Sequence, residues 1–100
     1  MYVVVEFLDV DRDHRATLRS SLVLFAHAML GCNLGCRTFD VSQDDLDGSA
    51  FLLYQRYDSK EAHRAHLELA EFAEHRLVVD KWVRTRRSLT YELVSHAGVG

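Results

Sequence analysis

The stretch that decides the fold runs from residue 51 to residue 72 and reads FLLYQRYDSKEAHRAHLELAEF. Its first seven residues are aromatic or apolar enough for a β-strand. Ser59 then marks a change to helical spacing and can cap the helix, because its hydroxyl can accept from a free amide of the first turn. We expect His66 to lie in the middle of the face that packs on the sheet, which comprises Ala62, Ala65, His66, Leu69, Phe72 and Ala73.

The size and charge of the chain exclude several classes of protein. A chain of 100 residues suits a single domain, residues 1–100, with an ordered core over about residues 2–94. The net charge of −3 gives no reason to expect a nucleic-acid partner. No apolar run is long enough to cross a membrane, and the N-terminus lacks the basic start of a signal peptide. We therefore expect a cytoplasmic protein with no membrane partner.

The outer segments complete the pattern around this stretch. Residues 2–9 predict a strand that is apolar on both faces and broken only by Glu6. A helix follows, with Gly31 as its stop and with its core residues at helical spacing, namely Leu18, Leu22, Phe25 and Met29. Further strands are predicted over residues 34–42 and 49–57, joined as an antiparallel hairpin by a polar turn.

The second helix, from residue 59 to about residue 82, has room for a break, and the last strand covers residues 85–94. The order βαββαβ predicts an α+β, ferredoxin-like fold, in which two helices cover one face of a four-stranded antiparallel sheet. The first strand is also apolar on the other face, and nothing else in the sequence is long enough to cover it. A bare apolar face of that size is unfavourable in water, so we predict a homodimer that packs sheet on sheet.

The cysteines and histidines do not form a recognised metal or redox pattern. Cys32 and Cys36 have the wrong spacing for a Cys-x-x-Cys site, and we expect two reduced thiols, at least one of them partly buried. His63, His66 and His75 offer ligand types without a closed four-ligand signature, so no metal is expected. No phosphate-binding or dinucleotide-binding loop is present, which argues against a bound cofactor, although a reduced flavin supplied by another protein stays open.

Short motifs along nearly the whole chain, about residues 2–94, resemble a known family. Gly35-Cys36 before the second strand, Tyr54 near the end of the third, Ser59 and His66 fit the pattern of the antibiotic biosynthesis monooxygenase family of dimeric α/β-barrel proteins. Gln55 and Tyr57 replace the acidic residue and the tryptophan that this family often carries there. The resemblance implies a dimeric α/β barrel and an oxygenase that needs no cofactor and converts phenols or anthrones into quinones.

The resemblance also implies where a site would lie. In members of the actinorhodin type, a tryptophan, a tyrosine and an arginine line the site, and by position these fall on Tyr57, His63 and Arg76. Another branch degrades haem with an asparagine, a tryptophan and a histidine. Glu6 and His66 stand where the first two would be, so this sequence does not favour that branch.

Oxidation without a cofactor requires a base that takes a proton from the substrate. Histidine is the natural choice near neutral pH, and His66 on the sheet-facing stripe is the first candidate. The alternative is a core histidine bonded to a backbone carbonyl. His63, one turn earlier, either shares the pocket or lies in solvent. Tyr57 and Tyr54 could each bind the substrate, but they should point to opposite faces of the strand, so only one can reach the helix side.

Two further residues have both a structural and a functional interpretation. Glu6 needs a partner, because an unpaired buried carboxylate is unfavourable, and Arg56 on the neighbouring strand is the expected one. Glu6 could instead act as a pocket acid. Trp82 could close the end of the pocket or belong to the plain core.

The sequence therefore predicts a cofactor-independent monooxygenase that acts on a small aromatic, phenolic or quinol-like compound with O₂. Two other classes stay open, a ligand-binding dimer without catalysis and an isomerase or cyclase that only moves protons.

Overall fold

The computed structural model describes residues 1–32 and 34–98. A one-turn 3-10 helix at Arg12–His14 separates the first strand from the first long helix. The strands are β1 (Tyr2–Val10), β2 (Cys36–Gln43), β3 (Ala50–Tyr57) and β4 (Val83–Glu92), and the helices are α1 (Arg15–Gly31), α2 (Lys60–Leu67) and α3 (Ala70–Asp80). This is the predicted βαββαβ order, with the second helical segment divided in two.

The four strands form one antiparallel sheet in the order β2-β3-β1-β4. β1 lies between β3 and β4, with Glu6 opposite Leu53 on one side and Ser88 on the other. The predicted α+β, ferredoxin-like fold is confirmed. Because β1 and β3 are both central, residues from the start of the chain and from the stretch that decides the fold lie side by side.

The core lies between the helices and one face of the sheet. The four α1 residues predicted to be buried, Leu18, Leu22, Phe25 and Met29, are all at most 5% exposed. They pack on the sheet residues that point to the same side, namely Val4, Leu8, Val10, Phe39, Phe51 and Leu53. The two-residue period of a strand thus assigns every second residue of β1 and β3 to the helix side.

Several element boundaries differ from the sequence prediction. Gly31 is the last residue of α1 rather than a left-handed residue beyond it, and Cys32 is the C-cap with φ −68°. The positive φ needed near this point belongs instead to Gly35, at +90°. A Cβ on Gly35 would lie 2.9 Å from the Cβ of Ala62, so the start of β2 approaches α2 too closely for any side chain at this residue.

The helical segment after β3 breaks at Glu68 and Leu69. The amide of Glu68 bonds to Ala65 O, and that of Leu69 bonds to His66 O, so α2 ends in a tightened turn. Leu69 is extended, with φ −69° and ψ 138°, and α3 begins after it. The break divides the segment into two helices, and each buries a residue, His66 in α2 and Val79 in α3.

The other face of the sheet carries a second set of apolar side chains, Val3, Val5, Phe7, Leu52, Tyr54, Leu89 and Tyr91. None belongs to the core cluster or to the partly buried residues packed against it. Phe7 is 45% exposed and Tyr91 is 53% exposed. We call this set the open face. Separately, no helix of residues 1–32 and 34–98 is long and apolar enough to span a membrane.

Candidate functional site

Local sequence fixes the position of α2 over the sheet. The Ser59 hydroxyl accepts from the Ala62 amide at 3.1 Å, which is the predicted N-cap, and Glu61 lies in the positive first turn. This start places His66 inward, with 1% of its surface exposed. Its Nδ1 lies 3.0 Å from Ala62 O, and its Nε2 lies 3.2 Å from Met29 O. The ring therefore links α2 to the end of α1.

A partly enclosed cavity of about 170 Å³ lies between α2, α3 and the sheet. Its apolar wall consists of Val4, Leu67 and Phe72. Its polar lining consists of Glu6, Gln55, His63, Arg76, Ser88 and Thr90. An apolar wall facing a few polar groups is the usual composition of a small-molecule site.

A chain of hydrogen bonds runs along the floor of this cavity. The Tyr57 hydroxyl donates to Gln55 Oε1 at 2.6 Å, and Gln55 Nε2 donates to Glu6 Oε1 at 3.0 Å. Arg86 Nη1 donates to the other oxygen, Glu6 Oε2, at 2.6 Å. Both carboxylate oxygens of Glu6 thus have donors, which offsets the cost of removing this group from water.

The same chain continues to α3. Arg86 Nη2 donates to Asp80 Oδ1 at 2.5 Å, and Arg76 Nε donates to both oxygens of Asp80, at 3.0 and 2.9 Å. Asp80 therefore bridges two arginines. The bridge ties the last turn of α3 to β4 and holds Arg76 at the edge of the cavity.

The expected Glu6–Arg56 pair is wrong. Arg56 lies opposite Val3 on the open face, whereas Glu6 points toward the helices. The Arg56 Nε donates instead to the Thr38 hydroxyl at 3.1 Å. Residues on neighbouring strands share a face only when their registers agree, and here the registers place Arg86, not Arg56, on the side of Glu6.

His63 is the histidine that borders the cavity. Its ring centroid lies 4.8 Å from that of Tyr57 and 5.7 Å from that of Tyr2. Burial lowers the pKa of His63 from its ordinary value of 6.5. The Glu6 carboxylate acts in the opposite direction, and His66 adds to the lowering. The net shift keeps His63 neutral at pH 7, which is the state a base needs.

Tyr57 and Cys36 lie beside the cavity in a drier environment. Burial is the main cause that raises the pKa of the Tyr57 hydroxyl, and it raises the pKa of the Cys36 thiol to about 11. Tyr57 therefore keeps its proton and acts as a hydrogen-bond donor. Cys32 and Cys36 are both free thiols, as expected, with Cys36 buried and Cys32 partly buried.

Comparison with known proteins decides the family. The family model described as "Antibiotic biosynthesis monooxygenase" matches residues 1–76, three quarters of the chain. The chain belongs to the antibiotic biosynthesis monooxygenase family. No curated protein sequence matches it significantly. Family membership supports a general monooxygenase-like role.

Solved structures of similar proteins share the fold. A provisionally named antibiotic biosynthesis monooxygenase from Nitrosomonas europaea is 24% identical with a TM-score of 0.88, over 95% of this chain and 100% of that one. A protein of the same provisional name from Deinococcus radiodurans is 25% identical with a TM-score of 0.88, over 100% and 99% of the two chains. Rv0793 from Mycobacterium tuberculosis is 22% identical with a TM-score of 0.84, over 97% and 98%.

The structure brings four of the seven predicted site residues of this family member together. Glu6, His63 and Arg76 line the cavity, and Tyr57 reaches it through Gln55. His66 packs against Tyr57, with ring centroids 5.2 Å apart, but does not line the cavity.

The other two predicted residues lie elsewhere. Tyr54 is opposite Val5 on the open face, so the expectation that Tyr54 and Tyr57 point to opposite faces is confirmed. Trp82 stacks on His14, with centroids 4.5 Å apart and planes 12° apart, and is absent from the cavity lining.

Sequence reasoning missed five polar members of the site, namely Gln55, Ser88 and Thr90 in the cavity lining and Asp80 and Arg86 as supporting groups. Gln55 could have been found, because a glutamine on the inward set of an apolar strand needs partners. Asp80 and Arg86 carried no such signal. Asp80 is a charged residue near a helix end and Arg86 belongs to a basic cluster, and both are ordinary features of a protein surface. No group of three or more His, Cys, Asp or Glu residues in the described ranges is arranged to hold a metal ion.

Proposed function

We propose that the protein oxidises a small phenolic or quinol-like compound with O₂, without a flavin or a metal, in the cavity between α2, α3 and the sheet. The single observation that carries the proposal is the position of His63. It borders the cavity, its pKa is lowered by burial, and donors for an oxyanion lie on the same floor. Family membership supports the reaction type.

The base in this proposal is His63 rather than His66. The two ring nitrogens of His66 lie 3.0 and 3.2 Å from carbonyl oxygens, and only 1% of the residue is exposed. A neutral imidazole has one N–H, so it donates to only one of these two carbonyls, but both ring nitrogens face the backbone and neither faces the cavity. His66 then positions α2, and with it His63, without touching the substrate.

The reaction begins when His63 accepts the proton of the substrate hydroxyl. The resulting anion is a much better electron donor than the neutral substrate, so in this proposal the substrate supplies the electrons that reduce O₂. An amide NH₂ carries two hydrogens, and Glu6 accepts one from Gln55, so the second can donate to the substrate oxygen. Such fixed donors stabilise developing negative charge in a dry cavity.

The overall change balances without a further reductant. A phenol loses its O–H hydrogen and the ring hydrogen para to it, and one atom of O₂ becomes the new ring carbonyl. The other oxygen atom leaves as water with the two hydrogens. The four electrons that reduce O₂ all come from the substrate, and the product is a quinone.

The test is O₂ uptake with a panel of phenols and hydroquinones. His63→Gln should lower the rate by about 100-fold or more, the scale of a positioned general base. His27→Gln is the matched control, because His27 is exposed on α1 and outside the cavity lining. Ligand binding without uptake would favour a binding protein. Proton exchange into a ligand without O₂ would favour an isomerase or cyclase.

We also propose that two copies of the chain pack sheet on sheet through the open face. The apolar residues of this face lie outside the core cluster between the sheet and the helices; Phe7 and Tyr91 are about half exposed, whereas Val3 is 5% exposed. Interfaces of obligate dimers bury roughly 2,000 Å² or more and are rich in such side chains. The cavity lies on the opposite side of the sheet, so pairing would leave its lining in place.

A further inference from the structure

The cavity is separated from a second space by only a few side chains. A depression of about 380 Å³ lies on the outer surface of α2 and α3. Leu67, Phe72 and Arg76 line both this depression and the inner cavity. Leu77 lines the depression but not the cavity, and it is 78% exposed. The three shared side chains therefore border both spaces, and we call them the partition.

We propose that Phe72, together with Leu67, restricts the site to ligands with a single aromatic ring. The inference rests on the proposed function for its phenolic substrate, and it adds the size class of that substrate and the residues that set it. Leu67 ends α2 and Phe72 is in the first turn of α3, so the partition spans the break between the two helices.

The size limit follows from the volume of the cavity. A closed apolar cavity of about 150 Å³ binds benzene. The cavity here, at about 170 Å³, exceeds that by less than the ~30 Å³ that one water molecule occupies in the liquid. One ring with a hydroxyl group fits this space. A second or third fused ring exceeds this space, so it has to extend through the open side of the cavity or past Phe72 and Leu67 into the depression.

Two contacts hold Phe72 in place. Its ring centroid lies 5.6 Å from that of Phe25 in the core, and Arg76 Cζ lies 5.7 Å from the ring centroid. Arg76 is in turn fixed by Asp80. A ligand with more rings would have to displace an aromatic side chain that contacts both a core aromatic ring and a guanidinium group.

The chemistry of the lining agrees with a one-ring phenol. Val4, Leu67 and Phe72 offer an apolar surface to the ring, and Gln55 and His63 offer polar atoms to a hydroxyl group. Apolar contacts of this kind are the ones that change with ring number, whereas the hydroxyl contacts stay the same across the series.

The experiment measures binding of phenol, 1-naphthol and 9-anthrol to the full chain by calorimetry in the absence of O₂, so that affinity is separated from turnover. The wild-type protein should prefer phenol to 9-anthrol. Phe72→Ala should strengthen binding of 1-naphthol relative to phenol by about tenfold or more, the scale on which a pocket discriminates size. Leu67→Ala should act in the same direction, and it provides a second variant if Phe72→Ala folds poorly.

Leu77→Ala is the matched control. It shortens a side chain that lines the depression but not the cavity, so it leaves the partition unchanged and should behave like the wild type. The proposal is overturned if 9-anthrol binds the wild type as tightly as phenol, if Leu77→Ala changes the ring preference as much as Phe72→Ala, or if no member of the series binds. Size-selective binding without O₂ uptake would keep this inference and overturn the proposed oxidation. Uptake with 9-anthrol alone would do the reverse.

Discussion

Arg86 Nη1 donates to Glu6 Oε2 at 2.6 Å, joining two residues that are 80 positions apart in the sequence. Both side chains are largely buried, at 18% and 13% exposed. This contact connects the first and last strands to the floor of the cavity. Through Asp80 it also reaches α3, so one ion pair supports both the sheet and the wall of the site.

Breaking this pair should destabilise the fold more than breaking a surface pair. Arg86→Met leaves the Glu6 carboxylate with one donor fewer in a poorly hydrated place, and we expect it to lower the free energy of unfolding by about 2–3 kcal/mol. The measurement is urea denaturation at pH 7.

Arg37→Met is the comparison, because Arg37 pairs with Asp58 through two hydrogen bonds, more than Arg86 makes to Glu6, but both residues are about half exposed. Its loss should lower the free energy of unfolding much less than Arg86→Met does, because water screens an exposed pair. Equal losses for the two variants would contradict the structural importance of the Glu6–Arg86 contact.

The pH dependence of oxidation should report the lowered pKa of His63. Activity requires the neutral ring, and the neutral form predominates above its pKa. Because burial lowers this pKa, the fall of kcat/KM on the acidic side should have its midpoint below pH 6.5. A pH profile of O₂ uptake measures it, and a midpoint above 6.5 would argue against His63 as the base.

The same shift predicts a change in stability with pH. Unfolding returns the His63 pKa to its ordinary value, so the unfolded chain binds the proton more readily. The contribution of His63 to the free energy of unfolding is therefore present above pH 6.5 and is lost as the pH falls through the folded-state pKa. Urea denaturation should show that the free energy of unfolding falls less between pH 7.5 and pH 5 for His63→Gln than for the wild type.

The open face should control the oligomeric state. We expect the wild type to be a dimer by light scattering at micromolar concentration, and Val5→Asp to be a monomer, because Val5 lies between Tyr54 and Leu89 on this face and a charge there has no partner. Leu77→Asp serves as the control, since Leu77 is 78% exposed on α3, away from this face. A monomeric wild type would refute sheet-on-sheet pairing.

Gly35 and Gly31 should respond in opposite ways to the same substitution. Gly35→Ala forces a positive φ on a residue with a side chain and places its Cβ 2.9 Å from that of Ala62. We expect a loss of about 1–3 kcal/mol in the free energy of unfolding.

Gly31→Ala meets nothing within 4 Å and ends a helix, so it should be neutral or stabilise the protein by up to about 1 kcal/mol. Thermal or urea denaturation of the two variants measures the difference. A stabilised Gly35→Ala variant would contradict the close approach of β2 to α2.

Part of the candidate site could be predicted from the sequence, because it depends on the regular spacing of residues along a strand or a helix. The alternation of β3 places Gln55 and Tyr57 on one face and Tyr54 on the other, and helical spacing turns His66 inward. The same reasoning could not choose between His63 and His66. That choice depends on where the carbonyl of Met29 lies, and Met29 is 37 residues away from His66 along the chain.

The sequence by itself determined the order of the strands and helices, the buried stripe of α1, the Ser59 cap and the family, because all of these depend on neighbours along the chain. Only the tertiary structure decided that Glu6 pairs with Arg86 rather than Arg56, and that Phe72 separates the cavity from the outer surface. Those contacts depend on strand register and on the break between α2 and α3. Both are set by packing between distant segments, which local spacing does not encode.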